Sequence, residues 1–359
     1  MTWPNGPRLR GESISCQLRL SCIVRISWSL ASSTLPALVE EAKKCEEVGL
    51  YGVWFPDYEA PFAGWPELYV VLTMLARETK EVVIGSLVTD VLRRHPMVTA
   101  HAFATLSYIA PRRLILGLGA GGGTSHRPYG LRVERSASTL REGITVIRSL
   151  WRATKDRPVS LRGRRFQLDE AGSPLPPSSS IPIYVAAYAP KMLALTAQLA
   201  DGWLPESHTP ETYRITLSEI HRTMRASGRS PGSLEACCGL IFYPWEPSGP
   251  AFSGLLSAAK GYLACYPDIQ WSAGEGRGHP GLRTHQVATD GSLWEKLKGE
   301  VPDWLAERTL ICGGEEECID KLAAFAEAGC SHVILEPYWI EADRLKEAVE
   351  IAGRISVKL

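Results

Sequence analysis

Residues 113–123 read RLILGLGAGGG. The apolar run Leu114, Ile115, Leu116 and Leu118 passes straight into Gly117, Gly119, Gly121, Gly122 and Gly123, five glycines in seven residues. A buried strand that ends in glycine brings bare backbone close to something flat or anionic, because no Cβ blocks the approach. The spacing Gly117-x-Gly119-x-x-Gly122 also matches the dinucleotide fingerprint. That fingerprint holds a pyrophosphate only when the glycine turn opens a helix at once and an acid closes a second strand about twenty residues on. Neither condition is met. Residues 124–135 (TSHRPYGLRVER) have no helical period and contain Pro128, and of the two acids at suitable distance, Glu134 and Glu142, the second falls in a helical pattern. The glycine-rich strand end is expected to face a different cofactor.

The elements that must position this run alternate regularly. Strand-like segments fall at residues 22–28 (CIVRISW), 51–56 (YGVWFP), 82–89 (VVIGSLVT), 114–118, 182–187 (PIYVAA), 202–205, 236–243 and 332–337 (HVILEP). Apolar residues at helical spacing separate them: Leu35, Leu38, Val39, Ala42 and Cys45, then Leu68, Val71, Leu72 and Leu75, then Val98, Ala102 and Leu106. The helix after the glycine strand comes late, at Leu140, Ile144, Ile147 and Leu150, and is followed by a ribbon over 159–168 turning at Gly163. Strands that are continuously apolar rather than alternating imply a parallel sheet covered by helices. Eight such units close into a (β/α)8 TIM barrel, with a doubly wound open sheet as the rival. Insertions at the C-terminal face are expected at 124–138 and at about 244–307. The second includes GEGRGHPGLRTH at 274–285. Long insertions there carry substrate contacts or decorate the surface.

Composition narrows the function classes. Of 359 residues 45% are hydrophobic, and no apolar run is long enough to span a bilayer. Lys plus Arg and Asp plus Glu each total 39, so a net charge of zero gives no reason to expect nucleic acid or an anionic membrane as partner. Residues 1–20 read as an N-terminal extension without the apolar stretch of a secretory signal, ahead of a barrel over 21–359. The nine cysteines form no C-x-x-C pair and lie mostly in apolar runs (Cys22, Cys45, Cys237, Cys238, Cys312), which suits reduced cytoplasmic thiols and no metal site.

The string HPMVTAHAFATLSYIAPRRLILGLGAG (95–121) resembles the bacterial luciferase-like superfamily, in which a proline-led helix precedes a strand ending in glycines. EEVGLYGVWFPD (46–57), LRGRRFQLD (161–169), PIYVAAYAPKMLALTAQLADGWL (182–204) and ICGGEEECIDKLAAFAEAGCSHVIL (311–335) resemble further motifs of it in the same order, so the resemblance covers about residues 22–356. GLGAG, SLVTD and AAKGYLACYPD (258–268) are most similar to the branch that uses coenzyme F420, the methylene-tetrahydromethanopterin reductases in particular. FMN-dependent monooxygenases share the fold and many of the motifs.

The resemblance implies a hydride-transferring oxidoreductase acting on a small or pterin-like substrate. The alternatives are an FMN-dependent monooxygenase or a cofactor-binding protein that has lost catalysis. A flat, largely apolar ring needs orientation and electrostatics from the protein. It is expected against Gly119, Ala120 and Gly121, with a non-prolyl cis bond at Leu87–Val88 and Thr89 forming a bulge behind it. The side-chain phosphate needs N–H donors at a helix N-terminus. Ala187, Tyr188 and Ala189 before Pro190, or Gly313 and Gly314 before Glu315, are placed to give them. Asp57, followed by Tyr58, matches a catalytic position that is Asp-His in many deazaflavin relatives. Where relatives carry a glutamate in the first strand this chain has Trp28, and where several carry an acid after the glycine strand it has Gly122. Tyr58, Glu59, Asp90 and His126 are the candidates to replace these groups, each with a solvated or structural role as the alternative. Surplus apolar residues Val70 and Met74 on one helix, and Phe103 and Tyr108 on the next, suggest a homodimer interface.

Overall fold

The computed structural model describes residues 24–58, 65–121, 126, 129–132, 134–173, 175–246, 248–265 and 291–359. The N-terminal extension, Glu59, Gly122, Gly123 and residues 274–285 lie outside them.

In chain order the strands are β1 (Arg25–Ser29), β2 (Gly52–Phe55), β3 (Val83–Ser86), β4 (Thr89–Asp90), β5 (Leu114–Gly119), β6 (Val159–Arg162), β7 (Gln167–Ala171), β8 (Ile183–Val185), β9 (Gly202–Trp203), β10 (Glu235–Tyr243), β11 (Leu310–Cys312) and β12 (His332–Glu336). Parallel pairing runs β1–β2–β3–β5–β8–β9–β10–β12 and returns from β12 to β1, which closes the eight-stranded barrel. All eight expected strands are present. The third is split by the cis Leu87–Val88 peptide into β3 and β4. The short β11, not expected as a strand, pairs with the C-terminal half of β10. The antiparallel ribbon β6–β7 turns where Arg162 faces Gln167, around Gly163 as read from the sequence.

The helices are α1 (Leu35–Glu47), α2 (Leu68–Glu78), α3 (Pro96–Leu106), α4 (Ser136–Arg152), α5 (Pro190–Leu199), α6 (Pro210–Ala226), α7 (Gly249–Cys265), α8 (Gly291–Glu300), α9 (Asp303–Glu307), α10 (Glu315–Glu327) and α11 (Leu345–Lys358). Helix α1 shows why they form where they do. Thr34 caps it, Pro36 sits in the first turn, where no N–H is needed, and Gly49 just beyond the end takes φ +79°. The described parts of the 244–307 insertion are helices α7, α8 and α9, with Leu255, Leu263 and Leu297 buried among them. On α3 the facing differs from the sequence reading. Phe103 is fully buried, whereas Val98 is 42% exposed. The helix is apolar nearly all round, so spacing alone does not fix which side meets the barrel. No helix among the described residues is long and apolar enough to cross a membrane.

Inside the barrel, large side chains occupy the space that glycines on the next strand leave. A Cβ on Gly85 would stand 2.2 Å from the Trp54 ring, one on Gly202 2.4 Å from the Tyr184 ring, and one on Gly117 2.0 Å from the Ser86 carbonyl oxygen. Backbone cannot swing aside as a side-chain tip can. Gly117→Ala is therefore expected to destabilise the protein by about 1–3 kcal/mol or more. Gly254→Ala on α7, where a Cβ meets nothing within 4 Å, should be neutral or stabilising by up to about 1 kcal/mol. Urea unfolding of the two variants checks the contrast.

Candidate active site

Asp57, Thr89, Gly119 and Ala187 follow or end four parallel strands and share the C-terminal face, where barrel enzymes carry their chemistry. Asp57 is buried and held. It accepts hydrogen bonds from Thr89 Oγ1 at 2.6 Å and from Arg94 Nη1 and Nη2 at 2.6 and 3.3 Å, and Arg93 Nη1 lies 3.4 Å away. Arg94 also pairs with Glu67 and lies over the Tyr69 ring, 4.5 Å from its centre. A carboxylate gripped by two guanidiniums and a hydroxyl is an electrostatic anchor for the loop after β4 and is poorly placed to move protons. Tyr58 is 44% exposed.

Asp90 builds a second node beside it. Its Oδ1 accepts from the N–H groups of Leu92 and Arg93 at 2.7 and 2.8 Å, and its Oδ2 lies 2.8 Å from His126 Nε2. Burial opposes ionisation of Asp90, but the hydrogen bond from His126 and those from the backbone outweigh it and hold the carboxyl below its usual range. His126, from the first insertion, is almost fully buried and faces Gly121. Gly121 has φ +83°, and a Cβ there would stand 3.0 Å from His126 Nε2 and 3.2 Å from Leu92 Cδ1. The structure thus joins Asp57, Thr89, Asp90 and His126 in one network and leaves Tyr58 out.

Gly117 and Gly119 have a direct structural reason. Cβ atoms on them would come within 3.1 and 3.0 Å of the two Val88 methyls, and the Gly119 position lies 4.0 Å from Ala186 Cβ. The glycines admit the Val88 bulge, and the bulge is what faces outward. Val88, Ala120, Gly121 and Ala186 are all partly open to solvent, forming a shelf of small groups without charge. Such a shelf fits one face of a flat apolar ring. Of the two expected phosphate sites, the Gly313 and Gly314 N–H groups are engaged by the Trp245 carbonyl at 3.0 Å and the Glu317 carboxylate at 3.1 Å. Helix α10 also opens with Glu315, Glu316 and Glu317. The start of α5 has no side-chain cap on Ala189 and no acid in its first turn, so it suits an anion better.

Trp28, standing where relatives carry a glutamate, donates from Nε1 to the buried Glu41 at 2.7 Å. Glu41 also accepts from Ser32 N–H at 2.9 Å, so it pins the loop after β1. Two acids escaped the sequence reading: Glu206, just after β9, and Glu336, the last residue of β12. The available signal was a lone charge at the end of an apolar barrel strand. Burial pushes Glu206 up to about 7, and burial together with Glu206 raises Glu336 well above the carboxylate range.

Fold and site together define a (β/α)8 barrel enzyme with an apolar shelf and an ion network at the strand ends. The family profile described as luciferase-like monooxygenase matches residues 18–332, and the chain belongs to that family. It is an oxidoreductase of that family. It is 25% identical over 296 residues to a 5,10-methylenetetrahydromethanopterin reductase of Methanolobus tindarius, covering 82% of this chain and 87% of the relative. It is 29% identical over 307 residues to a phthiodiolone/phenolphthiodiolone dimycocerosates ketoreductase of Mycobacterium kansasii, covering 81% of each. The solved coenzyme F420 dependent tetrahydromethanopterin reductase from Methanopyrus kandleri superposes with a TM-score of 0.74 at 21% identity, covering 93% of this chain and 99% of that one.

The network predicts a pH response. Because its folded pKa is depressed, Asp90 contributes stability that is fully present above about pH 4, its unfolded value, and is lost as pH falls through the lower folded value. Asp90→Asn is expected to destabilise the protein at neutral pH and to flatten its acid-unfolding curve below about pH 4. Thermal unfolding across pH 2–7, a range set by that window, measures both.

Proposed function

We propose that the chain is a coenzyme F420-dependent oxidoreductase acting on a small or pterin-like substrate. The observation that carries the reading is the uncharged shelf of Val88, Ala120, Gly121 and Ala186 beside the uncapped start of α5. The 87% coverage of the methylenetetrahydromethanopterin reductase supports it. Val88 and Ala186 would support the ring, with Leu87, Thr89 and Gly121 around them. Ala187, Tyr188 and Ala189 would lead its phosphate to α5. When bound, F420 supplies or accepts a hydride. The chain's own part is to exclude water from the shelf and hold charge at fixed points: Asp57 with its arginines on one side, Asp90 with His126 next to Gly121.

An FMN-dependent monooxygenase is the second reading, favoured by the description of the family itself. Fluorescence titration with F420 and with FMN separates the two. Binding of F420 in the micromolar range and FMN at least tenfold weaker is expected, and the reverse order would overturn the first reading. Ala186→Phe, which covers the shelf, should weaken F420 binding at least tenfold while the circular dichroism spectrum stays unchanged.

The partner surface lies on α2, α3 and the turn that follows α3. Val70, Met97, Tyr108 and Ile109 are between 41% and 53% exposed there, an apolar area that suits a second copy of the chain. Sedimentation at micromolar concentration should give a dimer, and Val70→Lys combined with Tyr108→Lys a monomer.

A further inference from the structure

Leu92 joins the candidate site to a second space. Its Cδ1 lies 3.2 Å from where a Cβ on Gly121 would stand, and it also lines a cavity of about 210 Å³. Three segments meet around that cavity. They are the loop after β4 at Leu92, the end of the first insertion with the start of α4 over 132–142, and the turn of the β6–β7 ribbon at 164–165. Pockets that hold whole ligands measure about 300–1,000 Å³, so this one suits an appendage of a larger molecule.

The lining is strongly basic. Arg132 and Arg135 come from the insertion and Arg164 and Arg165 from the ribbon, against two acids, Glu134 and Glu142. None of the four guanidiniums has a hydrogen bond, ion pair or ring contact among the described residues. Other arginines nearby do find acids: Arg162 pairs with Asp169 at 3.4 Å and Arg148 with Asp201 at 2.7 Å. Glu142 is already engaged, because its Oε2 accepts from the N–H groups of Arg165 and Phe166 at 2.7 and 3.1 Å. A Cβ on Gly163 would stand 2.6 Å from the same oxygen, so this carboxylate is packed into the ribbon turn. Four positive and two negative groups leave a local surplus of two positive charges in a chain whose net charge is zero. Guanidiniums gathered around a small cleft bind carboxylates and phosphates through paired, charge-assisted hydrogen bonds.

We propose that this cavity is a second anion subsite of the active site, separate from the phosphate position at 187–189, and that it takes an acidic arm of a molecule bound at the mouth. The arm carries about two negative charges, as carboxylates or phosphate, to match the surplus of the lining. It belongs either to the cofactor, whose glutamyl carboxylates extend beyond its phosphate, or to the substrate. The four arginines hold the arm, and Leu92 sets its distance from Gly121. The place of the subsite in the active site rests on the function proposed above, whereas its binding of anions does not.

Calorimetric titration of the protein without cofactor tests the subsite, with inorganic pyrophosphate and a triglutamate peptide as probes. The wild type should bind both, more weakly as salt rises. The double variant Arg135→Gln/Arg164→Gln should weaken both by about tenfold or more. Arg162→Gln removes a charge from the same ribbon at a residue outside the cavity and should change neither. All three arginines are exposed, so the fold is expected to persist. A wild type that binds neither probe, or an equal loss in Arg162→Gln, would overturn the subsite. Fluorescence titration with F420 bearing several glutamates and with F420 bearing none then assigns the arm. Weakening of the glutamylated form alone in the double variant gives the subsite to the cofactor. Weakening of neither form, with a raised KM for methylene-tetrahydromethanopterin at unchanged kcat, gives it to the substrate. Equal weakening of both forms would make the cavity part of the phosphate or ring site and overturn a separate subsite. No change in either form or in KM overturns its place in the active site. A wild type that binds neither F420 nor FMN sinks the proposed function, while the pyrophosphate titration still decides the cavity.

Discussion

The barrel depends on the exchange of volume between neighbouring strands. Its interior is close-packed, so each large side chain needs a small one opposite it, and here the small partner is repeatedly glycine. Trp54 fills the place above Gly85 and Tyr184 that above Gly202. Nearer the mouth the same device admits chemistry instead of bulk. The Val88 bulge enters over Gly117 and Gly119, and two glutamates enter over Gly239. Packing and reactivity thus use one mechanism at different depths. At the bottom the space is filled with rings and sealed. At the top it receives the Val88 bulge and two carboxyl side chains.

Electrostatics divides the mouth into two sectors. Along β2, β4 and the first insertion, acids meet bases: Asp57 with Arg93 and Arg94, Asp90 with His126. Each acid there has a basic side chain within hydrogen-bond or ion-pair distance, so the sector is held in place. Along β9, β10 and β12 Glu206 and Glu336 approach each other over Gly239. The first sector can fix a loop and orient a ligand. In the second, burial raises Glu206 to about 7. The apolar shelf lies between them.

Much of this was legible in the sequence because hydrophobic runs report burial directly. Strand order and the late α4 follow from apolar periods at residues 22–28 through 332–337. The cis bond at Leu87–Val88 was reached through family resemblance, and the alignment of Asp57, Thr89, Gly119 and Ala187 on one face through their positions at four strand ends; both are present. Roles were harder to read than positions. Asp57 looks like a free acid in sequence, and only the fold reveals that Arg93 and Arg94, 36 and 37 residues on, consume its charge. Glu206 and Glu336 were missed because their meaning is relational. Each is an ordinary glutamate until a glycine more than thirty residues from the one and almost a hundred from the other brings them together. Phe103 and Val98 exchanged sides because an all-round apolar helix carries no directional signal.

Gly239 also has an evolutionary consequence. Its lack of a side chain ties Glu206, Gly239 and Glu336 into one inherited unit. A descendant that gained alanine at 239 would have no room for the Glu336 carboxylate in its present place and would be pressed to lose that acid as well. Among relatives of this chain, glycine at this point and glutamate at the end of the last strand should be kept or lost together.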